Sequence, residues 1–304
     1  GGTGSPVPAR VEEIFCAGLI LPRYVGEFWT SAQRAGHPLH EVPYRACFKP
    51  ELPRFFITRL TEPGDLVHDP FMGRGTTLLE AGLLGRRAAG NDVNPLSRVL
   101  LEPRLDLPLL EEVAQRLCTL DLSGDARADI DLSMFFSPRT ESQVVRLREY
   151  LQGRKAAGRD DRVDRWIRMV ATTRLTGHSL GFFSAYTLPP NEAATPAGQR
   201  RINTARGQTP PDRDVAALIL RKSMSPLRAV TEEERMTLAA AYQPQRLLCG
   251  DASQTAALPD DSVALVVTSP PFLDLVQYEQ DNWLRSWFNS LDAAEIGQRL
   301  TMSR

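Results

Sequence analysis

The nine residues Asp69–Thr77 (DPFMGRGTT) constrain the fold of this chain more strongly than any other stretch. A short strand pattern, Asp65–Asp69, leads into them, and a helix pattern, Thr76–Leu84, follows and is closed by Gly85. Two glycines one residue apart let the backbone approach a ligand closely, and the start of the helix presents free N–H groups to an anion. We therefore expect a ligand-binding turn between a strand and a helix.

An acidic residue ends the next strand pattern, Arg87–Asp92. Asp92 stands 17 residues after Gly75, and an acid at this distance suits the paired hydroxyls of a ribose. A GxG pair alone explains little, because many tight turns contain one, but DPF before it and the later acid make the combination much more specific. Leu78 occupies the place of the third glycine of a GxGxxG motif, which argues against NAD.

The α/β pattern stops near residue 105 and resumes near residue 245. We expect three regions: 10–105 as the first half of a core, 106–244 as a mainly helical insertion, and 245–304 as the second part of the core. The opening residues 10–60 are apolar and aromatic-rich and predict helices. The other predicted segments are helices at Leu52–Leu60, Leu109–Leu120, Glu141–Leu151 and Asp164–Thr173, a long, partly ordered loop at Leu188–Asp214, and strands at Arg246–Gly250 and Ala264–Thr268.

A second motif, Thr268–Phe272 (TSPPF), directly follows the last of these strands. Two prolines give a rigid turn and leave carbonyl groups free of competing local donors. A polar side chain precedes the prolines and an aromatic ring follows them, so the loop can accept hydrogen bonds from an exocyclic amine while the ring stacks on a base. An ordinary Pro-Pro strand terminator explains the five residues equally well when they are taken alone.

Together the two motifs resemble those of the amino-methylating DNA methyltransferases, which use S-adenosylmethionine. The resemblance covers about 44–101 and 246–288 and implies a Rossmann-like α/β methyltransferase sheet interrupted by the helical insertion. It implies that the DPFMGRGT turn walls the methionine part of the cofactor, that Asp92 binds the ribose and that Asp251 of CGDA meets the adenine amine. The cofactor-binding residues expected from it are Phe48, Asp69, Phe71, Gly73, Gly75, Thr76, Asp92 and Asp251.

The resemblance also assigns the reaction to the second motif. The Ser269 hydroxyl and the Pro270 carbonyl would hold the N–H groups of the target amine, Pro271 would keep the turn rigid, and Phe272 would stack on the base. No cysteine of the chain follows a proline, so the Pro-Cys pair of carbon-5 cytosine methylation is missing. Within the family SPP tends to accompany methylation of cytosine N4, and DPP that of adenine N6, so we expect N4-cytosine in a specific DNA sequence.

Three alternatives remain open at this stage. The first is adenine-N6 methylation of DNA on the same scaffold. The second is an RNA methyltransferase, since DPFxGxGT also occurs there. The third is a non-catalytic module that binds nucleic acid or cofactor. The last is a serious candidate because the family sheet has seven strands, whereas the roughly 30 residues after Phe272 predict helices at Asp281–Phe288 and Ala293–Leu300. We therefore expect a fragment that lacks the C-terminal strands.

Charge gives no general attraction to nucleic acid, because 36 basic and 37 acidic residues leave a net charge of −1. Contact with DNA must then be local, and two basic stretches could supply it: Arg139–Arg174, with ten Arg or Lys against five Asp or Glu, and Gly198–Arg228, with seven against two. Solvated faces explain these stretches about as well. Arg200, Arg201 and Arg206 are the candidate phosphate contacts.

Several classes of protein have no support in the sequence. No apolar run reaches the roughly 18 residues of a membrane span, and Glu12 and Glu13 stand where a signal peptide would be basic. The four cysteines form no CxxC pair and the four histidines no HExxH pair, so no metal is expected and a reducing compartment is indicated. The resemblance implies double-stranded DNA as a partner, a cognate restriction endonuclease as a possible one, and a bacterial cytoplasm, at the nucleoid.

Overall fold

The computed structural model describes residues 10–26, 36–44, 47–187, 194–270 and 278–299, the last with side chains from residue 281. Its strands are β1 (Arg10–Cys16), β2 (Leu19–Val25), β3 (Leu66–Asp69), β4 (Arg87–Asn91), β5 (Leu247–Leu248) and β6 (Leu265–Val266). Its helices are α1 (Glu51–Leu60), α2 (Thr76–Leu83), α3 (Leu96–Leu105), α4 (Leu110–Thr119), α5 (Pro138–Ala156), α6 (Arg162–Arg174), α7 (Pro196–Arg206), α8 (Val215–Ala229), α9 (Glu232–Ala241), α10 (Tyr278–Phe288) and α11 (Ala293–Arg299).

Four of the strands form a parallel sheet in the order β5-β4-β3-β6. The register pairs Asp69 of β3 with Gly90 of β4, and His68 with Val266 of β6. All four residues of β3 are buried, as expected for a central parallel strand covered on both faces. The predicted strands and the helix after the GxG turn are confirmed, and the sheet is compatible with the expected methyltransferase fold.

The helical region packs directly onto this sheet. One hydrophobic cluster runs from Leu78 and Leu79 of α2 through α3 into the insertion, where Trp166 of α6 and Ile219 of α8 are fully buried. The helix predictions at α1, α4, α5 and α6 are confirmed, and so are those at α10 and α11. The insertion therefore shares a core with the sheet.

The expectation of a loop throughout Leu188–Asp214 is wrong, because α7 occupies Pro196–Arg206. The Thr195 side chain caps the helix by accepting a hydrogen bond from Gly198 N at 3.1 Å. A proline begins the first turn, and Gly207 ends the helix in the left-handed conformation with φ 56°. These terminal signals outweigh a composition that is otherwise typical of a loop; residues 188–193 lie outside the described part.

We expect Thr195→Ala to destabilise α7 by about 1 kcal/mol, since the cap would lose its side-chain acceptor. Hydrogen exchange of the α7 amides measures this directly, and their protection should fall about fivefold while that of α6 stays unchanged. Thr204→Ala, near the other end of the same exposed helix, is the control. Equal protection in the wild type and the Thr195 variant would contradict the role of the cap.

The expectation of helices in residues 10–60 is wrong for its first part. Residues 10–25 form an antiparallel hairpin in which Cys16 pairs with Leu19. Ala17 and Gly18 have φ angles of 50° and 84°, and two positive values are what a tight turn between twisted antiparallel strands requires. Strand propensity in RVEEIFC and LILPRYV thus outweighs the absence of a strict alternation.

No helix in the described ranges is long and apolar enough to cross a membrane. Within the same ranges, no group of three or more His, Cys, Asp or Glu side chains is arranged to hold a metal ion. The four cysteines all lie in the described ranges and form no disulfide bond with one another.

Candidate active site

Three chain segments meet at the carboxyl edge of the parallel sheet. The Met72 N–H, in the turn after β3, donates to the Asn91 carbonyl at 2.9 Å, which joins that turn to the end of β4. The Asn91 side chain donates in turn to the Gly250 carbonyl at 2.9 Å, beyond β5. Ligands of parallel α/β sheets bind at this edge. The structure therefore brings together the loops that the sequence analysis assigned to one site.

The GxG turn adopts a backbone that requires glycine. Gly73 and Gly75 have φ angles of 51° and 79°, in the left-handed region. A Cβ atom on Gly75 would lie 2.6 Å from Leu101 Cδ1, so α3 packs against the turn where only a hydrogen fits. A Cβ on Gly73 would instead reach Tyr44 Cε1 at 3.4 Å. The turn thus has one face packed against α3 and one face turned toward Tyr44.

Asp92 lies directly beside this turn. Its Oδ2 accepts a hydrogen bond from Gly73 N at 2.8 Å, and its Oδ1 accepts one from Asn94 N at 2.9 Å. Burial raises the pKa of this carboxyl above its ordinary value, while the two N–H donors and the Ser97 side chain act in the opposite direction. Since a carboxylate has about four acceptor positions, these three donors leave a position for the hydroxyl of a sugar.

Asp69 connects the two sequence motifs. Its Oδ1 accepts hydrogen bonds from Thr268 Oγ1 at 2.7 Å and from Phe71 N at 3.1 Å. Burial raises the pKa of the Asp69 carboxyl to about 6, and the bond from Thr268 is the largest of the influences that oppose this rise. The residue before Ser269 is therefore held against the residue that begins DPFMGRGT.

The structure describes two of the four residues predicted to hold the amine. Ser269 is half-buried and Pro270 is exposed, immediately beyond the Thr268 bond. Pro271 and Phe272 lie outside the described residues. Thr77 Oγ1 adds a second link between the motifs, since it donates to the Val267 carbonyl at 3.0 Å. The stem of the TSPPF loop is thus fixed to the first turn of α2 and to Asp69.

The remaining cofactor candidates differ in their surroundings. Thr76 is buried at the start of α2, Phe48 is half-buried, and Phe71 is 37% exposed at the rim of the turn.

Asp251 is exposed, and its Oδ1 accepts hydrogen bonds from Ser253 N at 2.8 Å and Ser253 Oγ at 2.7 Å. These two bonds lower the pKa of the Asp251 carboxyl. Asp251 therefore caps a turn in this structure, and its role at the adenine stays a prediction.

The three candidate arginines of α7 lie on the surface. Arg200 pairs with Asp131, and the Arg206 guanidinium stacks 3.9 Å above the ring of Tyr186. Arg201 is exposed. No contact brings these side chains to the GxG turn among the residues that the structure describes, so their contact with DNA stays a prediction.

Sequence reasoning missed two residues that shape the site. Tyr44 lies beside Gly73, and its place at the start of YRACFKPEL was the available signal. Arg74 donates through its side chain to the carbonyls of His40 and Val42 at 3.2 and 3.0 Å. This side chain fixes the segment before Tyr44 over the turn, a long-range contact that no local pattern indicates.

The chain matches the DNA methylase family over residues 21–96. That segment contains the GxG turn and Asp92, whose geometry is described above. The similarity to this family thus covers about a quarter of the chain. This finding confirms the resemblance on which the sequence analysis rested; the TSPPF loop lies outside the matched range.

Three curated relatives show the same kinship over short stretches. The type II methyltransferase M.MjaII of Methanocaldococcus jannaschii is 38% identical over 69 residues, which are 23% of this chain and 13% of the relative. M.BsoBI of Geobacillus stearothermophilus is 38% identical over 64 residues, 21% of this chain and 13% of the relative. M.MvaI of Kocuria varians is 36% identical over 81 residues, 26% and 17% of the two chains.

The similarity thus spans less than a fifth of the length of each relative. No solved structure shows a significant match to the chain.

Proposed function

We propose that this protein transfers a methyl group from S-adenosylmethionine to the exocyclic N4 amine of a cytosine in a specific DNA sequence. The observation that carries the proposal is the 2.7 Å hydrogen bond from Thr268 to Asp69, which holds the stem of the SPPF loop against the GxG turn of the DNA methylase segment. A methyl donor and a target amine need to meet at such a junction.

The residues at the sheet edge fit an adenosyl group. Asp92 has an acceptor position left for a ribose hydroxyl, and the two left-handed glycines allow close approach of the backbone. Bound there, S-adenosylmethionine supplies a methyl group on a positively charged sulfur, which a neutral amine can attack. The residues that would hold it are Phe48, Asp69, Phe71, Gly73, Gly75, Thr76, Asp92 and Asp251.

The TSPPF loop acts on the amine. The lone pair of the amine nitrogen is delocalised into the ring of the base. The Ser269 hydroxyl and the Pro270 carbonyl counteract this by accepting hydrogen bonds from the two N–H groups of the amine, which fixes the direction of these groups. Phe272 stacks on the base. The gain comes mainly from positioning, and no covalent enzyme intermediate is needed. The cytosine must first leave the duplex, at a cost of a few kcal/mol.

The preference for cytosine N4 over adenine N6 rests on Ser269 in SPP, by resemblance to the family. The insertion 106–244 is proposed to recognise the DNA sequence, with Arg200, Arg201 and Arg206 of α7 on phosphates. Because the relatives are named type II methyltransferases, we place the protein in a restriction–modification system with a cognate endonuclease, in a bacterial cytoplasm.

Two measurements on the 304-residue chain test the proposal. Equilibrium dialysis with S-adenosylmethionine should show saturable binding, and tritium from a labelled methyl group should appear in unmethylated plasmid DNA. Label in RNA alone would transfer the assignment to RNA. Binding of the cofactor without any label in nucleic acid would support a non-catalytic module. Absence of binding would overturn the roles of Gly73, Gly75 and Asp92.

A further inference from the structure

A cavity of about 190 Å³ lies between α6, α8 and the turn that contains Pro38–His40. Its apolar lining includes Trp166 and Met169 of α6 and Leu39 and Val42 of the turn. Four basic side chains line it as well: Arg104, Arg174, Arg221 and Lys222. Glu41 is the one acid among the described lining residues. An apolar pocket with convergent cations is suited to a ligand that is part apolar and part anionic.

Most cations of the neighbouring helices already have anionic partners. Five arginines of α4, α5 and α6 form ion pairs with nearby carboxylates: Arg116, Arg154, Arg162, Arg165 and Arg168. The carboxylates belong to Asp106, Glu112, Asp160, Asp161 and Asp164. Arg200 is paired too. Six of the fifteen arginines in the two basic stretches thus form ion pairs within the described ranges, so part of the positive charge counted in the sequence is neutralised.

The cations that line the cavity form no ion pair with a described residue. Arg174 forms no ion pair within the described part, and its buried Nε has no hydrogen-bond partner there. Its guanidinium lies 5.0 Å from the centre of the Phe182 ring, and burial lowers its pKa. A buried donor without a partner costs free energy, so a group that accepts from Arg174 would recover that loss.

Lys222 and Arg221 place further positive charge at the same cavity. Burial lowers the pKa of Lys222, and Arg174 and Arg221 lower it further by repulsion, while Glu41 acts in the opposite direction. Arg221 donates to the Leu180 carbonyl at 3.2 Å and forms no ion pair within the described ranges. Three cations therefore repel one another across a small volume with one exposed carboxylate nearby, an arrangement that an anion relieves.

We propose that this cavity binds a phosphate group, either from the backbone of DNA or from a free nucleotide. A phosphate offers enough acceptor oxygens and charge for two guanidinium groups and an ammonium, and the apolar lining accommodates an attached sugar or base. The cavity also adjoins the candidate active site, since Arg104 lines it and donates to the carbonyls of Leu39, at 3.1 Å, and of Arg74 in the GxG turn. The DNA source rests on the proposed function; phosphate binding itself does not.

The test compares the double variant Arg221→Gln/Lys222→Gln with Arg159→Gln/Lys155→Gln near the end of α5. All four are side chains of the insertion, and the control pair is exposed and outside the cavity. The probes are a fluorescein-labelled DNA duplex at several NaCl concentrations, and dCMP and inorganic phosphate by calorimetry. S-adenosylmethionine binding is measured on each variant to report on the candidate active site separately.

If DNA supplies the phosphate, the cavity variant should bind the duplex roughly tenfold more weakly, and the negative slope of log K against log salt should become shallower by about 1. The control variant should keep the wild-type affinity and the wild-type slope. If a free nucleotide supplies it, dCMP should bind the wild type and the control but not the cavity variant, with DNA affinity unchanged. Unchanged affinity for all three probes in the cavity variant would overturn the proposal. If the wild type binds neither DNA nor S-adenosylmethionine, the proposed function fails and the dCMP result alone decides the cavity.

Discussion

Ser269→Ala is expected to lower the rate of methyl transfer to DNA by roughly 100-fold and to leave the affinity for S-adenosylmethionine unchanged. The alanine removes an oxygen that fixes the amine only when the base is in place, and losing one such preorganised polar group costs about two orders of magnitude in rate. Ser269 lies next to Thr268, whose bond to Asp69 does not involve the serine side chain, so the loop stem should persist. Single-turnover kinetics with labelled cofactor measure the step directly.

Ser123→Ala is the matched control, because Ser123 is exposed in the insertion and bonds to Asp121. It should transfer methyl groups at the wild-type rate. A Ser269 variant as active as this control would remove the serine from the mechanism. A loss of cofactor binding in step with activity would show that Ser269 acts on the cofactor and not on the amine.

Asp69→Asn is expected to stabilise the protein above pH 7 by about 3 kcal/mol, and by almost nothing near pH 4. Burial raises the pKa of Asp69 from 3.8 to about 6, so the folded protein holds this proton more tightly than the unfolded chain. Stability from this group is therefore complete below pH 4 and is lost as the pH rises through about 6. Asparagine remains neutral and keeps an oxygen for Thr268 and Phe71.

Urea unfolding of the wild type and the Asp69 variant from pH 4 to pH 8 tests this, because the difference between the two curves isolates Asp69 from other groups. Asp131→Asn is the control of opposite sign: bonds from Ser133 lower the pKa of the exposed Asp131 carboxyl to about 2, and Arg200 adds to them. Curves for wild type and Asp69→Asn that run parallel over the whole range would contradict the raised pKa.

The strands and helices around the site could be predicted because their signals are local. The apolar run before Asp69, the two glycines and the acid at position 92 lie within the 27 consecutive residues Leu66–Asp92. The ends of α7 also carry local signals, Thr195, Pro196 and Gly207, although the composition of the segment is typical of a loop. The hairpin 10–25 was missed because its turn, Ala17-Gly18, is a weak signal beside an apolar run.

What could not be predicted depends on contacts between distant parts of the chain. Thr268 and Asp69 are 199 positions apart, and only the fold shows that they bond. The arginines are a similar case. Sequence counts show two basic stretches, whereas the structure shows which of their arginines carboxylates neutralise, such as Arg154 and Arg165, and which have no such partner in the described part, such as Arg174. Charge patterns report abundance, and availability follows from packing.

The most direct test of the account identifies the methylated nucleoside. Unmethylated genomic DNA, with RNA in parallel, is incubated with the chain and S-adenosylmethionine, digested to nucleosides and analysed by mass spectrometry. We expect N4-methylcytosine in DNA, formed roughly 100-fold more slowly by Ser269→Ala. N6-methyladenine would agree with the proposed site but would contradict the preference for cytosine N4 that we infer from Ser269. A methylated base in RNA alone, or no methylated base at all, would contradict the central claim.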